Sequence, residues 1–403
     1  MPTTQLVCGY ECGTGGTNAH FARNAGTADS ISTTTVRTGS RSLQLSPVAA
    51  VGSVLMPQTM ASQTVVVKRF YLRYSVLPDV SVQVYAGLSG ATRLQVYYNQ
   101  SDSKIYAAIG GATPTTGATG VSVATDVWYR IDCKFDVSAN PWTADVQVDG
   151  VACGQATNAV AASTMSTLLV GDSANSATYT AFVEDCILSF AVADYPLGAP
   201  NVKAFFPTRD GTHTGTGTNF VIGQAGGALT VTSTGVYTLL DEAPMAVNTS
   251  DFVNQQTSAA AEYVQVGFAT VSGAPLGVDM ILAAHSLTTA QGNMKFKVND
   301  GGTTVLFWNR ASSGSSAIAF NRAHYASKPA GGAWTQAAFD ALLVRGGYST
   351  DANPDQFWDG VLLEVALAAS AAGITVNATG LGALTVPVNA SGWYHQTYIS
   401  GLV

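Results

Sequence analysis

Residues 128–135 read Trp-Tyr-Arg-Ile-Asp-Cys-Lys-Phe, and residues 143–150 read Thr-Ala-Asp-Val-Gln-Val-Asp-Gly. In both segments apolar residues recur at every second position, which is the period of a β-strand with one buried face. Asp149 and Gly150 tolerate the positive φ angles of a tight primed turn, so this pair predicts a hairpin. The two segments therefore predict antiparallel strands.

Residues 64–77 show the same alternation. One face of this predicted strand carries Phe70, Leu72, Tyr74 and Val76, and we expect it to pack against a core. The opposite face, which we expect to meet solvent, carries Arg69, Tyr71, Arg73 and Ser75.

Alternating runs separated by Gly, Ser, Asn and Asp continue along the chain, whereas helical periodicity is almost absent. Further strands are predicted over residues 262–270, 277–285, 295–299, 303–308 and 358–368. The one predicted helix covers Thr335 to Leu343. Many strands without intervening helices predict an all-β protein built of antiparallel β-sandwiches.

The length of 403 residues indicates two domains. Residues 193–200 contain two prolines and a glycine, which interrupt regular structure and predict a linker. We therefore predict one sandwich over residues 1–196 and a second over residues 197–369. Residues 370–403 are expected to form a C-terminal β extension or an arm that adds to a neighbour's sheet.

Charge and the distribution of apolar residues argue against nucleic-acid binding, secretion and membrane insertion. Charged residues make up 11% of the chain, and the net charge is -7 without a cluster of Lys and Arg, which argues against nucleic-acid binding. The N-terminus lacks a signal-peptide pattern, and no apolar run is long enough to span a bilayer. These features predict a protein made in a bacterial cytoplasm without membrane insertion.

Five cysteines spread over the chain do not resemble a disulfide framework, so we expect them to be reduced. Cys133, Cys153 and Cys186 lie in strand-like runs, where cysteine commonly fills apolar space. Cys8 and Cys12 lie close together, but their spacing is not Cys-x-x-Cys. A structural role is expected for all of them.

Several motifs of the first half resemble those of concanavalin A-like, laminin-G-type jelly rolls found in tailed-phage virion proteins. They are Gly9-Tyr10-Glu11, the segment 37–45 with Gly-Ser-Arg-Ser-Leu, the Trp-Tyr strand 127–132, the hairpin strand 144–150 and the strand 182–188. In the second half, residues 202–212, 240–244 and 357–367 resemble a companion domain of phage proteins. The resemblance implies tandem jelly rolls in a virion structural protein.

Motifs for covalent chemistry are missing. Jelly rolls that cleave polysaccharide resemble one another in a strand with Glu-x-Asp-x-x-Glu, and no such strand is present. Glu184 and Asp185 are adjacent, so a regular strand would point them to opposite faces. Asp241 and Glu242 are expected in a loop. The histidines lack metal-site spacing, and neither a nucleophile elbow nor a dinucleotide fingerprint is found.

Two weaker candidates for ligand binding remain. Residues 351–359 begin like a calcium-binding loop, with Asp351, Asn353, Asp355 and Asp359 as oxygen ligands, although Gln356 and Leu362 break the pattern. An ordinary loop is the competing interpretation, and no other cofactor is expected. Aromatic side chains could stack on sugar rings, and the candidates are Tyr97, Tyr98, Tyr106, Trp308, Tyr325 and Trp334. Core packing is the competing interpretation for these residues.

The favoured hypothesis is a non-enzymatic virion component, associated with the tail, a fibre or the capsid surface, that assembles with other virion proteins and with copies of itself. The alternative is a module that recognises host surface glycan during adsorption. A polysaccharide depolymerase is a further alternative, which the missing carboxylate motif disfavours.

Overall fold

The computed structural model describes residues 4–10, 22–25, 29–55, 60–198, 200–214, 220–222, 227–229, 235–241, 252–255, 261–286, 294–301, 303–310, 318–348, 356–368, 374–377 and 383–386. The first half of this described chain consists of strands joined by turns and one 3₁₀ turn at Val192–Asp194. The strands are β1 (Thr4–Cys8), β2 (Ala22–Ala25), β3 (Asp29–Ser32), β4 (Ser42–Leu45), β5 (Ala50–Leu55), β6 (Val65–Val76), β7 (Val82–Ser89), β8 (Thr92–Asn99), β9 (Lys104–Gly110), β10 (Thr115–Thr116), β11 (Val121–Ser122), β12 (Tyr129–Asp136), β13 (Trp142–Val148), β14 (Val151–Ala152), β15 (Ala156–Asn158), β16 (Thr167–Ala177) and β17 (Thr180–Ser189).

The second half has a 3₁₀ turn at Val236–Leu239 and a short helix, α1, at Gln336–Asp340. Its strands are β18 (Asn201–Phe205), β19 (Pro207–Asp210), β20 (Phe220–Ile222), β21 (Gly227–Leu229), β22 (Val253–Gln255), β23 (Tyr263–Phe268), β24 (Pro275–Ser286), β25 (Met294–Asn299), β26 (Thr304–Arg310), β27 (Ala319–Tyr325), β28 (Leu343–Gly347), β29 (Gln356–Leu367), β30 (Ile374–Asn377) and β31 (Ala383–Val386). A helix is present where one was predicted, but it is shorter than predicted, since it ends at Asp340 and Leu343 is the first residue of β28. The Thr335 side chain caps it by accepting a hydrogen bond from Ala338 N.

The first half is a β-sandwich of two antiparallel sheets. In the described residues one sheet has the order β14-β13-β12-β6-β17-β4-β3, with β1 on β17 and β15 on β13. The other has the order β10-β9-β8-β7-β16-β5-β2, with β11 on β9. Aromatic side chains join the sheets across the core: the ring centroids of Phe70 and Tyr85 are 5.8 Å apart, and those of Tyr74 and Tyr98 are 5.7 Å apart.

The second half is also a sandwich. One of its sheets has the order β21-β20-β22-β29-β24-β27 with β18 on β29, and the other has the order β19-β23-β28-β25-β26. Phe296 and Trp358 pack edge to face between these sheets, with centroids 5.6 Å apart. The strands β30 and β31 pair only with each other among the described residues. The prediction of an all-β protein with tandem antiparallel sandwiches and a C-terminal β extension is confirmed.

Each sandwich has its own hydrophobic core, one formed by residues between Leu6 and Leu188 and the other by residues between Phe220 and Leu367. The domain boundary near residue 197 stays a prediction. The hairpin at Asp149 and Gly150 is confirmed, because both residues have positive φ angles, 51° and 86°, and Val148 pairs with Val151.

The predicted solvent face of β6 is corrected by the structure. Arg69 is fully buried and Tyr71 is 7% exposed, whereas Val76, expected on the packed face, is 49% exposed. Lys68, on the core-facing side, is also buried, with its amine 4.2 Å from the Tyr85 ring centroid. The alternation of β6 is correct, but sequence alone did not reveal that other segments cover its outer face.

Candidate functional site

The two sandwiches meet along β1, which pairs with β17 of the first and packs against β24, β27 and β29 of the second. A small apolar cluster fills this junction, formed by Val7, Ile187, Val202 and Ala366. Beside it lie two clusters of polar side chains and a surface cleft. The junction is therefore the place where side chains distant in sequence converge.

The first polar group, here called the acid-pair cluster, consists of Arg37, Thr38, Glu184 and Asp185. A β-bulge interrupts β17 between Glu184 and Ile187, and Asp185 has a φ angle of 51°. At this bulge β17 changes partners, because residues 181–183 pair with β4 and residues 186–189 pair with β1.

The bulge overturns the expectation that Glu184 and Asp185 point to opposite faces. The Thr38 hydroxyl oxygen lies 3.0 Å from Glu184 Oε1 and 2.9 Å from Asp185 Oδ1, so both carboxyl groups meet at one side chain. Strict alternation holds only for a regular strand, and one additional residue in the strand reverses the direction of those that follow.

Backbone donors and Arg37 occupy the remaining oxygens of the acid pair. Glu184 accepts hydrogen bonds from the backbone N–H groups of Arg37 and Thr38. Asp185 pairs with the Arg37 guanidinium and accepts a hydrogen bond of 3.1 Å from Val202 N in the second half. This cluster therefore fixes both the loop before β4 and the start of β18.

Burial dominates the electrostatics of these carboxyl groups. It raises the pKa of Glu184 to about 7, although hydrogen bonds from Arg37 and Thr38 act in the opposite direction. Burial also raises the pKa of Asp185, against the effect of Arg69 and Arg37. On β12, which β6 separates from β17, burial raises the pKa of Asp132 to about 6. Desolvation disfavours the charged form of each acid more than the neighbouring hydrogen bonds and, for Asp132 and Asp185, the neighbouring cations favour it.

A close carboxyl pair with one raised pKa is the arrangement that glycoside hydrolases use. Here, however, Glu184 is 1% exposed and Asp185 is fully buried. Their oxygens are held by protein donors, so a sugar cannot reach either carboxyl group in this arrangement. The geometry favours a structural role for the acid pair.

The second polar group, here called the clamp cluster, consists of Thr4, Asp279, Arg322 and His324. Asp279 on β24 is fully buried. It accepts hydrogen bonds from Arg322 Nη2 at 2.8 Å and from Val7 N at 2.6 Å, and it lies 2.7 Å from His324 Nδ1. Arg322 Nη2 also donates to the carbonyl oxygen of Gln5 at 3.0 Å. The clamp cluster therefore joins β1 to the second sandwich.

The order Asp279, His324, Thr4 resembles a catalytic triad, because His324 Nε2 lies 3.1 Å from the Thr4 hydroxyl. Two observations oppose a nucleophilic role. Thr4 is fully buried, and its hydroxyl donates a hydrogen bond of 3.1 Å to the carbonyl oxygen of Leu276. The hydroxyl proton is therefore directed away from the imidazole, and no substrate can approach the oxygen.

A cleft of about 520 Å³ opens next to the clamp cluster. Residues from both sandwiches line it: Gln5, Met60, Ala61, Gln63, Leu188, Phe190 and Arg322. Volumes of about 300–1,000 Å³ are typical of small-molecule sites. We refer to it below as the junction cleft.

The six aromatic residues proposed from sequence for sugar stacking are divided between the two sandwiches and do not form one platform. Tyr97 and Tyr106 are cross-strand partners on β8 and β9, and Trp334 Nε1 donates a hydrogen bond to the carbonyl oxygen of Tyr325. Tyr98 and Trp334 are each 1% exposed, so their ring faces are covered, and Tyr97 is buried as well. Trp308 stacks on Phe296, and Tyr325 is half-buried against the second core. Tyr106 remains partly exposed and donates a hydrogen bond to Asp102.

The calcium prediction cannot be placed as a whole, since Asp351, Asn353 and Asp355 lie outside the described residues. Asp359 lies in β29, fully buried, with its Oδ1 2.7 Å from Nδ1 of His285. Searched over the described ranges alone, the chain has no cluster of three or more His, Cys, Asp and Glu side chains suited to a metal. Calcium binding stays a prediction.

Four of the described cysteines, Cys8, Cys133, Cys153 and Cys186, are buried thiols that form no disulfide. Burial raises the pKa values of the thiols of Cys133, Cys153 and Cys186, which keeps them protonated and weakly reactive. Cys12 lies outside the described residues. Within the part of the chain that the structure covers, no helix has the length and apolar character needed to cross a bilayer.

Comparison with known proteins gives distant structural likenesses only. No family model and no curated protein matches the chain. The cellulose-induced protein Cip1 is 15% identical, with coverage of 46% of this chain and 98% of its own and a TM-score of 0.35. A sialidase is 10% identical, with coverage of 48% of this chain and 19% of its own and a TM-score of 0.33.

Domain 4 of AbnA, a GH43 extracellular arabinanase from Geobacillus stearothermophilus solved with arabinotriose, is 11% identical. The match covers 42% of this chain and 82% of the arabinanase domain, with a TM-score of 0.32. These likenesses concern the all-β fold and carry no functional information. The resemblance to phage virion proteins stays a prediction.

Sequence reasoning did not identify Gln5, Gln63, Phe190 or Arg322 as neighbours. They come from β1, the segment before β6, the end of β17 and β27. No motif contains any two of them at a fixed functional spacing. Only the packing of one sandwich against the other brings them together.

Proposed function

We propose that this chain is a non-catalytic structural component of a tailed-phage virion, associated with the tail, a fibre or the capsid surface. It is synthesised in the host bacterial cytoplasm and acts in the virion through contacts with other virion proteins and with copies of itself. The observation that carries this proposal is an apolar surface, here called the valine patch, at one end of the first sandwich. Its members are Val48, Val76, Val80 and Val127, which are 76%, 49%, 39% and 45% exposed.

Hydrogen bonds between loops hold the valine patch together. The backbone N–H of Ala49 donates to Thr178 Oγ1, and that of Asp79 donates to the carbonyl oxygen of Thr178. The N–H of Asp126 donates to the carbonyl oxygen of Tyr74, which places residues 125–127 beside the end of β6. The loops that carry the four exposed valines are thus neighbours.

Exposed apolar side chains that cluster on a surface of low charge are typical of protein contact sites. The chain has only 11% charged residues, so charge repulsion between copies is weak. A stable contact buries about 800 Å² on each partner, which an end of a sandwich can supply. These features support assembly as the role of the patch.

The proposal is tested with V76E/V127E in the full chain, examined by sedimentation and by mass spectrometry of purified particles. The wild-type chain is expected to self-associate and to occur in virions, and the double variant is expected to be monomeric. V151E/V160E, which alters exposed valines elsewhere, is the matched control and should assemble normally. A wild-type chain that is monomeric and absent from particles would refute the proposal.

A second candidate function is the recognition of host surface glycan, and the junction cleft favours it. The cleft presents polar groups beside the apolar side chains of Met60 and Phe190, as saccharide sites do. An array of host polysaccharides, neutral and acidic, tests this role with the full chain. Binding to any of these polysaccharides supports glycan recognition, and the absence of binding to all of them refutes it.

A further inference from the structure

The junction cleft contains one cationic group with an unused donor. Arg322 donates to Asp279 through Nε and Nη2 and to the carbonyl oxygen of Gln5 through Nη2. Within the described residues no acceptor binds Arg322 Nη1, and the side chain retains 16% exposure at the cleft. The guanidinium is thus held in place by Nε and Nη2, and Nη1 is the donor that remains for a ligand in the cleft that Arg322 lines.

This arrangement suits a carboxylate. A charged guanidinium donates stronger hydrogen bonds to an ionised acceptor than to a neutral one. Because Asp279 and Gln5 already fix the Arg322 side chain, little rotamer freedom is lost when a ligand binds. The oxygens of Asp279 accept from Arg322, His324 and Val7 N, so the carboxylate of Asp279 is engaged inside the junction and not in the cleft.

The other residues that line the cleft indicate which kind of molecule would bear the carboxylate. The amide of Gln63 makes no hydrogen bond with other described residues, and it offers both a donor and an acceptor. Phe190 and Met60 are partly exposed and supply apolar surface. Hydroxyl groups on one side and an apolar ring face on the other are the combination that a pyranose presents.

We propose that the junction cleft binds an acidic saccharide, a chain containing uronic acid units, with its carboxylate on Arg322 Nη1, its hydroxyls on Gln63 and a ring face on Phe190. The proposal rests on the second candidate function, glycan recognition, and names the substrate class of that site. It places binding between the sandwiches, away from the aromatic residues proposed from sequence. A peptide with a free C-terminal carboxylate is the rival ligand.

The test measures binding of the full chain to tetragalacturonate by calorimetry, with maltotetraose as the neutral probe and a short apolar peptide with a free C-terminus as the rival. Saturable binding of tetragalacturonate, weakened by salt and at least about fivefold tighter than that of either other probe, is expected. Equal affinity for the neutral sugar, or tighter binding of the peptide, would overturn the proposal.

The variants Q63L and F190A locate the site, because both residues line the cleft and neither takes part in the clamp cluster. Each is expected to weaken tetragalacturonate binding by about fivefold or more. Y106A, which removes a partly exposed aromatic residue on β9, is the matched control and should bind as the wild-type chain does. Unchanged binding in Q63L and F190A, or loss in Y106A, would place the ligand elsewhere.

Failure of this proposal and failure of glycan recognition are distinguishable. A chain that binds neutral glycans on the array but not tetragalacturonate keeps the recognition role and loses the acidic substrate class. A chain that binds nothing on the array loses both.

Discussion

The acid-pair cluster and the clamp cluster both hold the junction, yet they do so over different distances along the chain. Asp185 contacts Val202, which lies 17 residues away, whereas Asp279 contacts Val7 across 272 residues. In the acid-pair cluster burial outweighs the hydrogen bonds and the cations and raises the pKa values of both acids, while in the clamp cluster Arg322 and His324 both contact the carboxylate of Asp279. The acid-pair cluster therefore shapes a bulge and a loop and holds the start of β18 close to its own strand, whereas the clamp cluster joins the distant β1 to the second sandwich.

The largest expected effect follows removal of the clamp carboxylate. Asp279→Ala leaves Arg322 without its buried partner and Val7 N without its acceptor, so the free energy of unfolding should fall by about 3–5 kcal/mol. Because the contact is interdomain, calorimetry should also separate the unfolding of the two sandwiches into distinct transitions.

The control for this prediction is Asp126→Asn, which breaks the exposed ion pair with Arg73. Exposed pairs contribute little, so a change below about 1 kcal/mol is expected. If Asp279→Ala behaved like this control, the clamp cluster would not join the sandwiches.

Substitution of Asp185 should have the next largest effect. Asp185→Ala removes the acceptor for Arg37, Thr38 and Val202 N and places alanine at a φ angle of 51°, so a loss of about 2–4 kcal/mol is expected. Asp185→Asn should cost about 1 kcal/mol less, since asparagine tolerates the left-handed region. Both are measured by urea denaturation.

The pH dependence of stability distinguishes the clusters further. Glu184 titrates near 4.5 in an unfolded chain and near 7 in the folded protein, so between these values the folded state retains a proton that the unfolded state has lost. Stability is therefore highest below about pH 4.5 for this group and falls as the pH rises to about 7, and Asp132 adds the same trend between 3.8 and about 6.

Glu184→Gln mimics the protonated form, so the free energy of unfolding of this variant should depend less on pH between about 4.5 and about 7. The decrease that the wild-type protein shows over this range should shrink by an amount on the order of 1–3 kcal/mol. Urea denaturation between about pH 4 and about pH 8 measures the slope. An unchanged slope in the variant would show that Glu184 is not the titrating group.

The smallest effects are expected from the two threonines. Thr38→Val and Thr4→Val each remove one hydroxyl from its cluster, and each should cost about 1 kcal/mol or slightly more. Both variants should remain folded with unchanged circular dichroism. A much larger loss for Thr4→Val would indicate that the hydroxyl, and not the Asp279 carboxylate, dominates the clamp cluster.

Much of the fold was predictable from residue patterns. Alternation located β6, β12 and β13, Asp149 and Gly150 fixed the hairpin between β13 and β14, and Thr335 marked the start of α1. The candidate site was not predictable, because the residues that line the junction cleft share no motif. Tyr98 and Trp334 illustrate the same limit. The sequence around an aromatic residue does not indicate whether its ring is covered or exposed.

The sequence by itself determined the all-β class, the two sandwiches and the positions of many strands, because side-chain periodicity and turn chemistry act between near neighbours in the chain. Only the tertiary structure decided that Glu184 and Asp185 converge, that Arg69 is buried and that Arg322 faces a cleft beside Gln63. These features depend on a bulge and on contacts between residues up to 320 positions apart. No local pattern encodes such contacts, since they arise from the packing of one folded surface on another.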